Sequence, residues 1–396
     1  MTGCSAAPTL TIPAERFARR LAMARTAAAD AGLDALLVGV GADLRYLAGY
    51  AALPLERLTL LVVPAAPGSA LTLIAPRLEA TPARSCPAAT SGAVTVATWE
   101  ETEDPMALVA SVLAAATGRA ADELEAVAVS DGMRAAFVLG LQRALPAARF
   151  SLASAVLRGL RMRKDSDEVG LLRAAAHAAD RVVAAIAAGP LIGRTEADVA
   201  REVRERLVAE GHEQAEFWIV ASGPNSASPH HDASDRILRA GEPVVIDIGG
   251  QLGGYGSDIT RTVWIDGGDS ARGPHPDFAR LYGVLRDAQA AATAAVRPGI
   301  AAEAIDAVAR DAIAAAGFGP NFIHRTGHGI GLEGHEDPYI VAGNAEPLDG
   351  AMAFSVEPGI YLEGRFGARI EDIVVCGPDG PDVLNEMTRE LLVVRG

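Results

Sequence analysis

Residues 244–262 read V-V-I-D-I-G-G-Q-L-G-G-Y-G-S-D-I-T-R-T, two strand-like apolar runs joined by a glycine-rich stretch, the pattern of a β-hairpin. Each arm carries one acid, Asp247 or Asp258. A symmetric two-residue loop centred on Leu252-Gly253 would set the two carboxylates directly opposite, with Cβ atoms about 5 Å apart. A slip of one residue would instead turn one of them to the other face. A second acid-bearing hairpin is written around Gly364 in Y-L-E-G-R-F-G, between Glu357 in S-V-E-P-G and Glu371 in R-I-E-D-I-V-V. All four acids lie in or beside runs apolar enough to be buried. Ionised carboxylates are expensive to leave unpaired in a dry interior, and these segments hold no matching number of Lys or Arg. With His328, the four acids make a ligand set for a pair of divalent cations. The alternative, strand-end acids that cap turns, accounts for one such residue but not for five coordinated positions.

Together V-V-I-D-I-G, G-S-D-I-T-R-T, H-R-T-G-H-G-I-G-L-E-G-H-E, S-V-E-P-G-I-Y and R-I-E-D resemble the pita-bread metallopeptidases, specifically the Xaa-Pro dipeptidase (prolidase) and aminopeptidase P branch. The resemblance is strong over residues 160–396. Before residue 155 it holds in outline, through D-L-R-Y-L-A-G-Y and the order of elements. It implies that Asp247 binds one metal, that Asp258 and Glu371 bridge both, and that His328 and Glu357 bind the second. It also implies that His230, the first histidine of P-H-H, and His335, seven residues after the ligand histidine, contact the scissile carbonyl. His324 resembles a further pocket histidine. Arg369 shares a strand face with Glu371 two residues on, which lets its guanidinium orient a ligand carboxylate, as the family uses an arginine here. Five of the eight histidines fall in these two motifs. His231 is read as a mere neighbour of His230, and His177, His212 and His275 as solvated.

An oxygen-dominated donor set with one imidazole and no thiolate suits hard or borderline divalent ions. Mn²⁺ is the first choice, with Co²⁺, Fe²⁺ and Zn²⁺ as alternatives. Two such ions lower the pKa of a shared water towards neutrality beside a substrate carbonyl. The expected reaction is hydrolysis of the X-Pro bond in short proline-containing peptides. His230 or His335 would stabilise the oxyanion, and Glu357 would pass the proton to the leaving nitrogen. The X-Pro amide lacks an N–H and fits badly in sites that grip a peptide as an added strand. An Xaa-Pro dipeptidase is favoured over an Xaa-Pro aminopeptidase acting on longer peptides, a choice that lies in loops the sequence does not place. A methionine aminopeptidase shares the ligand quintet but typically lacks so large an N-terminal domain, and a creatinase-like enzyme lacks the ligand set that is intact here. From another class, a metal-binding but non-catalytic partner-binding module would hold metal without hydrolysis.

A length of 396 residues with 50% apolar content supports two domains. These are an N-terminal creatinase/prolidase-like domain at 1–155, a linker at 156–166 and a catalytic domain at 167–396. The expected fold is α+β: an N-terminal mixed α/β domain followed by a C-terminal pita-bread (creatinase/aminopeptidase-like) domain. Helices are expected over 14–33, 132–145, 167–188, 195–210, 276–297 and 301–316, with Ser166 as N-cap of the third. Arg158, Arg161, Arg163 and Lys164 read as a solvated linker. The net charge of −15 argues against nucleic acid or an anionic membrane as partner, and no apolar run reaches the 18 residues of a membrane span. Cys4, Cys86 and Cys376 form an odd set without metal-like spacing, which points to a reducing compartment, the cytoplasm. Nothing apolar precedes Cys4 to serve as a lipoprotein signal. Gly39-Val40-Gly41 opens a dinucleotide fingerprint that Leu44 breaks, and no Walker lysine or G-x-S-x-G elbow occurs. A homodimer, with the second subunit's N-terminal domain walling the pocket, is expected by resemblance alone.

Overall fold

A computed structural model describes residues 11–267 and 273–395; Cys4 and the opening segment lie outside the described residues. The chain divides into two compact units, one of Ile12–Arg161 and one built from Met162 onward.

The first unit is a mixed sheet with helices. Its strands are β1 (Ala35–Gly39), β2 (Leu60–Pro64), β3 (Thr72–Pro76), β4 (Thr95–Trp99), β5 (Ala126–Val129) and β6 (Arg149–Leu152), in the order β4-β3-β2-β1-β5-β6. Its helices are α1 (Ala14–Asp30), α2 (Ala42–Ala48), α3 (Ala80–Ser85), α4 (Pro87–Thr90), α5 (Pro105–Thr117), α6 (Ala135–Ala144) and α7 (Ser154–Met162). The central strands β1, β2, β3 and β5 are buried along their whole length, so they read as continuous apolar runs rather than alternating ones.

The second unit holds α8 (Ser166–Ala188), α9 (Glu196–Ala209), α10 (Pro276–Ala295) and α11 (Ala302–Ala315). Its strands are β7 (Gln214–Ser222), β8 (Glu242–Leu252), β9 (Tyr255–Asp266), β10 (Gly327–Gly329), β11 (Glu336–Ile340) and β12 (Ala353–Val356), followed by β13 (Gly359–Leu362), β14 (Phe366–Arg369), β15 (Asp372–Gly377), β16 (Gly380–Val383) and β17 (Leu392–Arg395). They form a sheet β17-β9-β8-β7, a sheet β11-β10-β12-β15-β16 and the ribbon β13-β14. The helix pair α8/α9 covers the first sheet and α10/α11 the second, the α+β arrangement expected.

Alternation along the strands decides where the acids go. Val244, Ile246 and Ile248 of β8 and Ile259, Val263 and Ile265 of β9 enter the core beneath α8 and α9. With a period of two, Asp247 and Asp258 must then occupy the opposite face. In the second half Phe354, Val356, Ala368, Ile370 and Val374 enter the core beneath α10 and α11, which leaves Ser355, Arg369 and Glu371 on the other side. Burying one such aliphatic side chain contributes about 1.5–3 kcal/mol, so a slip of register that exposed several is strongly disfavoured. The acid-bearing faces meet at a bridge between Thr260 and Glu371.

The first hairpin turns one residue later than the sequence suggests. Leu252 pairs with Tyr255, and the loop is Gly253-Gly254, with φ of 59° and 85°. A two-residue turn that follows strand twist needs positive φ at both central positions, which two glycines supply and Leu252 does not. Asp247 therefore pairs with Thr260 and Asp258 with Gly249, making the acids diagonal neighbours on one face rather than direct opposites. The second hairpin is centred on Gly364 as expected, with Gly359 opposite Arg369, and Glu357 and Glu371 lie just beyond its paired residues.

Three further expectations are corrected. The N-cap of α8 is Asp165, not Ser166: its carboxylate accepts from the N–H groups of Asp167 and Glu168, and Glu168 accepts in return from the N–H of Asp165, a closed capping box. Much of the stretch read as a linker is helical in α7, and Lys164 is not solvated. Its side chain is 1% exposed and ion-paired with Glu336 at 2.6 Å. His212 is likewise buried, with Nδ1 donating to the Leu207 carbonyl and Nε2 bonded to the Ser257 hydroxyl at 2.8 Å. His177 is half-buried, whereas His275 is exposed and caps α10. Among the described residues no helix is long and apolar enough to cross a membrane.

Arg261, 1% exposed, ties the halves together. It donates to the carbonyls of Thr260, Glu371, Met387 and Thr388 and pairs with Asp372 at 2.7 Å. Arg261→Met is expected to lower the unfolding free energy by about 3–5 kcal/mol, read from urea midpoints, whereas Arg286→Ala in an exposed pair leaves it nearly unchanged. Equal midpoints for the two variants would contradict this role.

Candidate metal centre

Each expected ligand is delivered by a different piece of strand. Asp247 and Asp258 project from β8 and β9 and are 7% and 3% exposed. His328 sits at the middle of the three-residue strand β10, squeezed between β11 and β12. The squeeze requires its flanking glycines, since a Cβ on Gly327 would lie 1.9 Å from the Ser355 carbonyl oxygen and one on Gly329 2.2 Å from that of Asp337. Glu357 leaves β12 with its N–H donated to the Thr326 carbonyl at 2.7 Å. Glu371 receives the Thr260 hydroxyl at 2.7 Å. These five side chains line one cavity of about 550 Å³ together with His230, His324, His335 and Arg369. All nine residues singled out in the sequence are thus brought together.

The ligand atoms fall into overlapping groups of three within 4.8 Å: Asp247, Asp258 and Glu371; His328, Glu357 and Glu371; Asp258, His328 and His335. Glu371, Asp258 and His328 each belong to two groups. The electrostatics of the cluster are unfavourable by themselves. Burial, then the neighbouring carboxylates, holds Asp258 and Glu371 well above the usual carboxylate range. Burial pushes Glu357 up to about 7, against the pull of Arg369. Against four carboxyl groups the cavity sets a single buried guanidinium, Arg369, which pairs with Asp247.

Three observations fit this set to divalent cations. Asp247 Oδ1 and Glu371 Oε1 are buried without a hydrogen-bond partner, although buried oxygens are ordinarily satisfied. His328 donates Nδ1–H to the Gly329 carbonyl at 3.1 Å, which fixes a tautomer whose Nε2 lone pair faces Glu357 Oε1 at 3.4 Å and Asp258 Oδ2 at 3.7 Å. Those separations exceed a good direct hydrogen bond, and a backbone-oriented imidazole is how proteins present a metal-ligating histidine. Burial, reinforced by His335, depresses His328 to about 3, so it is neutral, as a ligand must be.

Residues outside the expected set complete the site. Arg369 donates to the Tyr361 hydroxyl at 2.7 Å, and that hydroxyl lies 2.9 Å from His324 Nε2. A chain thus runs from His324 through Tyr361 and Arg369 to Asp247. Burial raises Tyr361 to about 12, and burial with the Arg369 charge lowers His324 to about 4. Arg325 lies 3.2 Å from His335 Nδ1 and stacks over Tyr339, 4.4 Å from the ring centre. A guanidinium only donates, so Nδ1 accepts and the neutral His335 carries its proton on Nε2. Tyr361 ends the quoted motif S-V-E-P-G-I-Y and Arg325 lies within H-R-T-G-H; motif membership was the available signal for both.

Comparison with known proteins places this geometry. Residues 170–378 match the model of metallopeptidase family M24, and residues 20–163 match the creatinase/prolidase N-terminal domain. A protein named probable dipeptidase PepE, from Mycobacterium bovis, is 50% identical over 382 residues, covering 96% of this chain and 97% of that protein. A protein named Xaa-Pro dipeptidase, from Lactobacillus helveticus, is 33% identical over 377 residues, covering 92% and 96%. The crystal structure of dipeptidase PepE from Mycobacterium ulcerans superposes with a TM-score of 0.89 at 48% identity, covering 98% of this chain and all of that one.

The raised carboxyls set the pH response of the metal-free chain. A carboxyl whose pKa is higher folded than unfolded stabilises the fold below its unfolded value and loses that contribution as pH rises through its folded value. For Glu357 that window runs from 4.5 to about 7. Chelator-treated protein is therefore expected to lose thermal stability across this window, and added Mn²⁺ to restore it above the window. Melting temperatures that ignore both pH and Mn²⁺ would contradict this electrostatic account.

Proposed function

The chain belongs to metallopeptidase family M24, and from that premise we propose that it is a dinuclear-metal dipeptidase that cleaves the X-Pro bond. The observation that carries the reading is the convergence of Asp247, Asp258, His328, Glu357 and Glu371 on one cavity, with two buried carboxylate oxygens left unsatisfied. Asp247 would hold one ion and His328 with Glu357 the other; of the three residues common to two ligand groups, Asp258 and Glu371 would be shared, since a carboxylate offers two oxygens whereas His328 has only Nε2 free of its bond to Gly329. Bound divalent ions supply Lewis acidity, which polarises a carbonyl and lowers the pKa of water. Manganese is the first choice for so oxygen-rich a set, with cobalt, iron and zinc as alternatives.

The chain's own residues supply the remainder. Phe217, Ile219 and Pro229 give the cavity an apolar wall suited to a proline ring. His335, protonated on Nε2, donates to the substrate carbonyl oxygen as negative charge develops there, with His230 as the second donor. Glu357, poised near neutrality, moves a proton to the leaving nitrogen. Arg369 fixes the carboxylate of Asp247.

Arg325 favours the dipeptidase over an aminopeptidase acting on longer peptides. It lines the cavity and, among the described residues, pairs with no carboxylate, so its fork is available to a free C-terminal carboxylate. Relatives named as dipeptidases agree with this choice. Both described cysteines are free and buried, which supports a cytoplasmic setting. A homodimer belongs to the same proposal by family likeness.

With Mn²⁺ present, Ala-Pro is expected to be hydrolysed and Ala-Pro-Ala far more slowly, as read by released proline. Glu357→Ala should lower kcat by about 10²-fold or more with metal content checked in parallel; full activity with both ions bound would refute the proton-transfer role. Arg325→Ala should raise KM for Ala-Pro about tenfold or more while largely sparing kcat, and an unchanged KM would remove Arg325 from substrate recognition.

A further inference from the structure

Between Gly223 and Asp235 no residue belongs to a strand, yet this segment carries His230 to the cavity. Its placement converges on one side chain outside the cavity, Glu196, the first residue of α9 and fully buried. The Glu196 carboxylate accepts from the N–H and hydroxyl of Ser222 at 2.8 and 2.6 Å and from Asn225 Nδ2 at 3.0 and 3.1 Å. It also accepts from His231 Nε2 at 2.7 Å and from the N–H and hydroxyl of Ser234 at 3.1 and 2.6 Å. These four residues bracket His230 on both sides. Burial alone would raise the Glu196 pKa, but the donors from Ser222, Ser234 and His231 bring it down to about 2, so the hub is a carboxylate. Its place at a helix N-terminus favours the same charge state.

The other side of His230 is tied as well. The Pro229 carbonyl accepts from both terminal nitrogens of Arg369 at 3.3 Å, and Arg369 in turn pairs with Asp247. In the triplet Pro229-His230-His231 the outer residues are therefore anchored, one to the arginine that holds a candidate ligand and one to the buried hub. Pro229 and His230 both line the cavity, and the His230 imidazole, between the two anchored residues, takes part in neither anchor. His231 is thus more than a neighbour of His230.

We propose that Glu196 and His231 are positioning residues, a latch on a buried carboxylate that holds His230 in register with the substrate carbonyl. The proposal rests on the role given to His230 above. His231 Nε2–H donates to Glu196, and no bond is made or broken. A displaced His230 still folds beside the site but meets the carbonyl badly, and a misplacement of about 1 Å can lower a rate about 10²-fold.

The test uses the full-length, Mn²⁺-loaded protein and the variants His231→Ala, His231→Gln, His230→Ala and the double alanine variant. For the dipeptide that the wild type cleaves, His231→Ala is expected to lower kcat about 10- to 10²-fold with KM within about twofold. His231→Gln, which keeps an N–H donor, should recover most of the loss. In the His230→Ala background, His231→Ala should add nothing, because residues that act through one another are non-additive. Wild-type kcat in His231→Ala, or fully additive losses, would overturn the proposal. Amide hydrogen exchange across residues 225–235 decides the latch without reference to substrate: faster exchange in His231→Ala, with β8 and the bound metal unchanged, supports it, and unchanged exchange overturns it. Failure of the wild type to cleave any dipeptide would count against the functional reading, and the exchange result would still decide the latch.

Discussion

Four carboxyl groups pressed together in a buried cleft beside one buried guanidinium repel one another, and the second unit of this protein is arranged around making that tolerable. The folding energy comes from elsewhere, chiefly from the apolar faces that two helix pairs bury against two sheets. Strand alternation then delivers the acids to the faces left over. Burial, with the mutual repulsion of the carboxylates, holds Asp258, Glu357 and Glu371 above the usual carboxylate range. Such a cluster is poor as a stabilising device, since breaking-even ion pairs already require excellent geometry. It makes physical sense as a site that becomes favourable on taking up cations.

Holding repelling groups in place needs rigid supports, and these form a shell behind the candidate ligands. Arg261 clamps the backbone at Thr260 and Glu371 and is itself neutralised by Asp372. Arg389 and Gln289 bond the other oxygen of Asp372 at 2.5 and 2.8 Å. Arg369 performs the same service within the cavity, joining Asp247, Tyr361 and the carbonyl of Pro229. Ligand geometry and the segment that carries His230 therefore share one guanidinium, and a change in either is felt by the other.

The parts of this design legible in the sequence were those written in local patterns. Apolar runs on either side of a glycine-rich stretch located β8 and β9, apolar periodicity located α8 to α11, and the spacing around Gly364 gave the second hairpin its register. The first hairpin was misplaced by one residue because the midpoint between the two acids falls on Leu252-Gly253, whereas the φ requirement of the turn selects Gly253-Gly254. What stayed hidden were pairings across long stretches of chain: Lys164 with Glu336, His212 with Ser257, His231 with Glu196, and His324 with Tyr361. A histidine or lysine shows no local mark of whether a distant partner awaits it. The nine site residues were found from motifs whose resemblance carried information that no single residue's surroundings contained.

The central claim, that the cluster exists to hold two cations, is tested most directly by anomalous scattering from crystals grown with Mn²⁺. The account predicts two peaks within ligand distance of Asp258 and Glu371, one also bound by Asp247 and the other by His328 and Glu357. An empty cleft, with the four carboxyl groups protonated and bonded to one another, would contradict it.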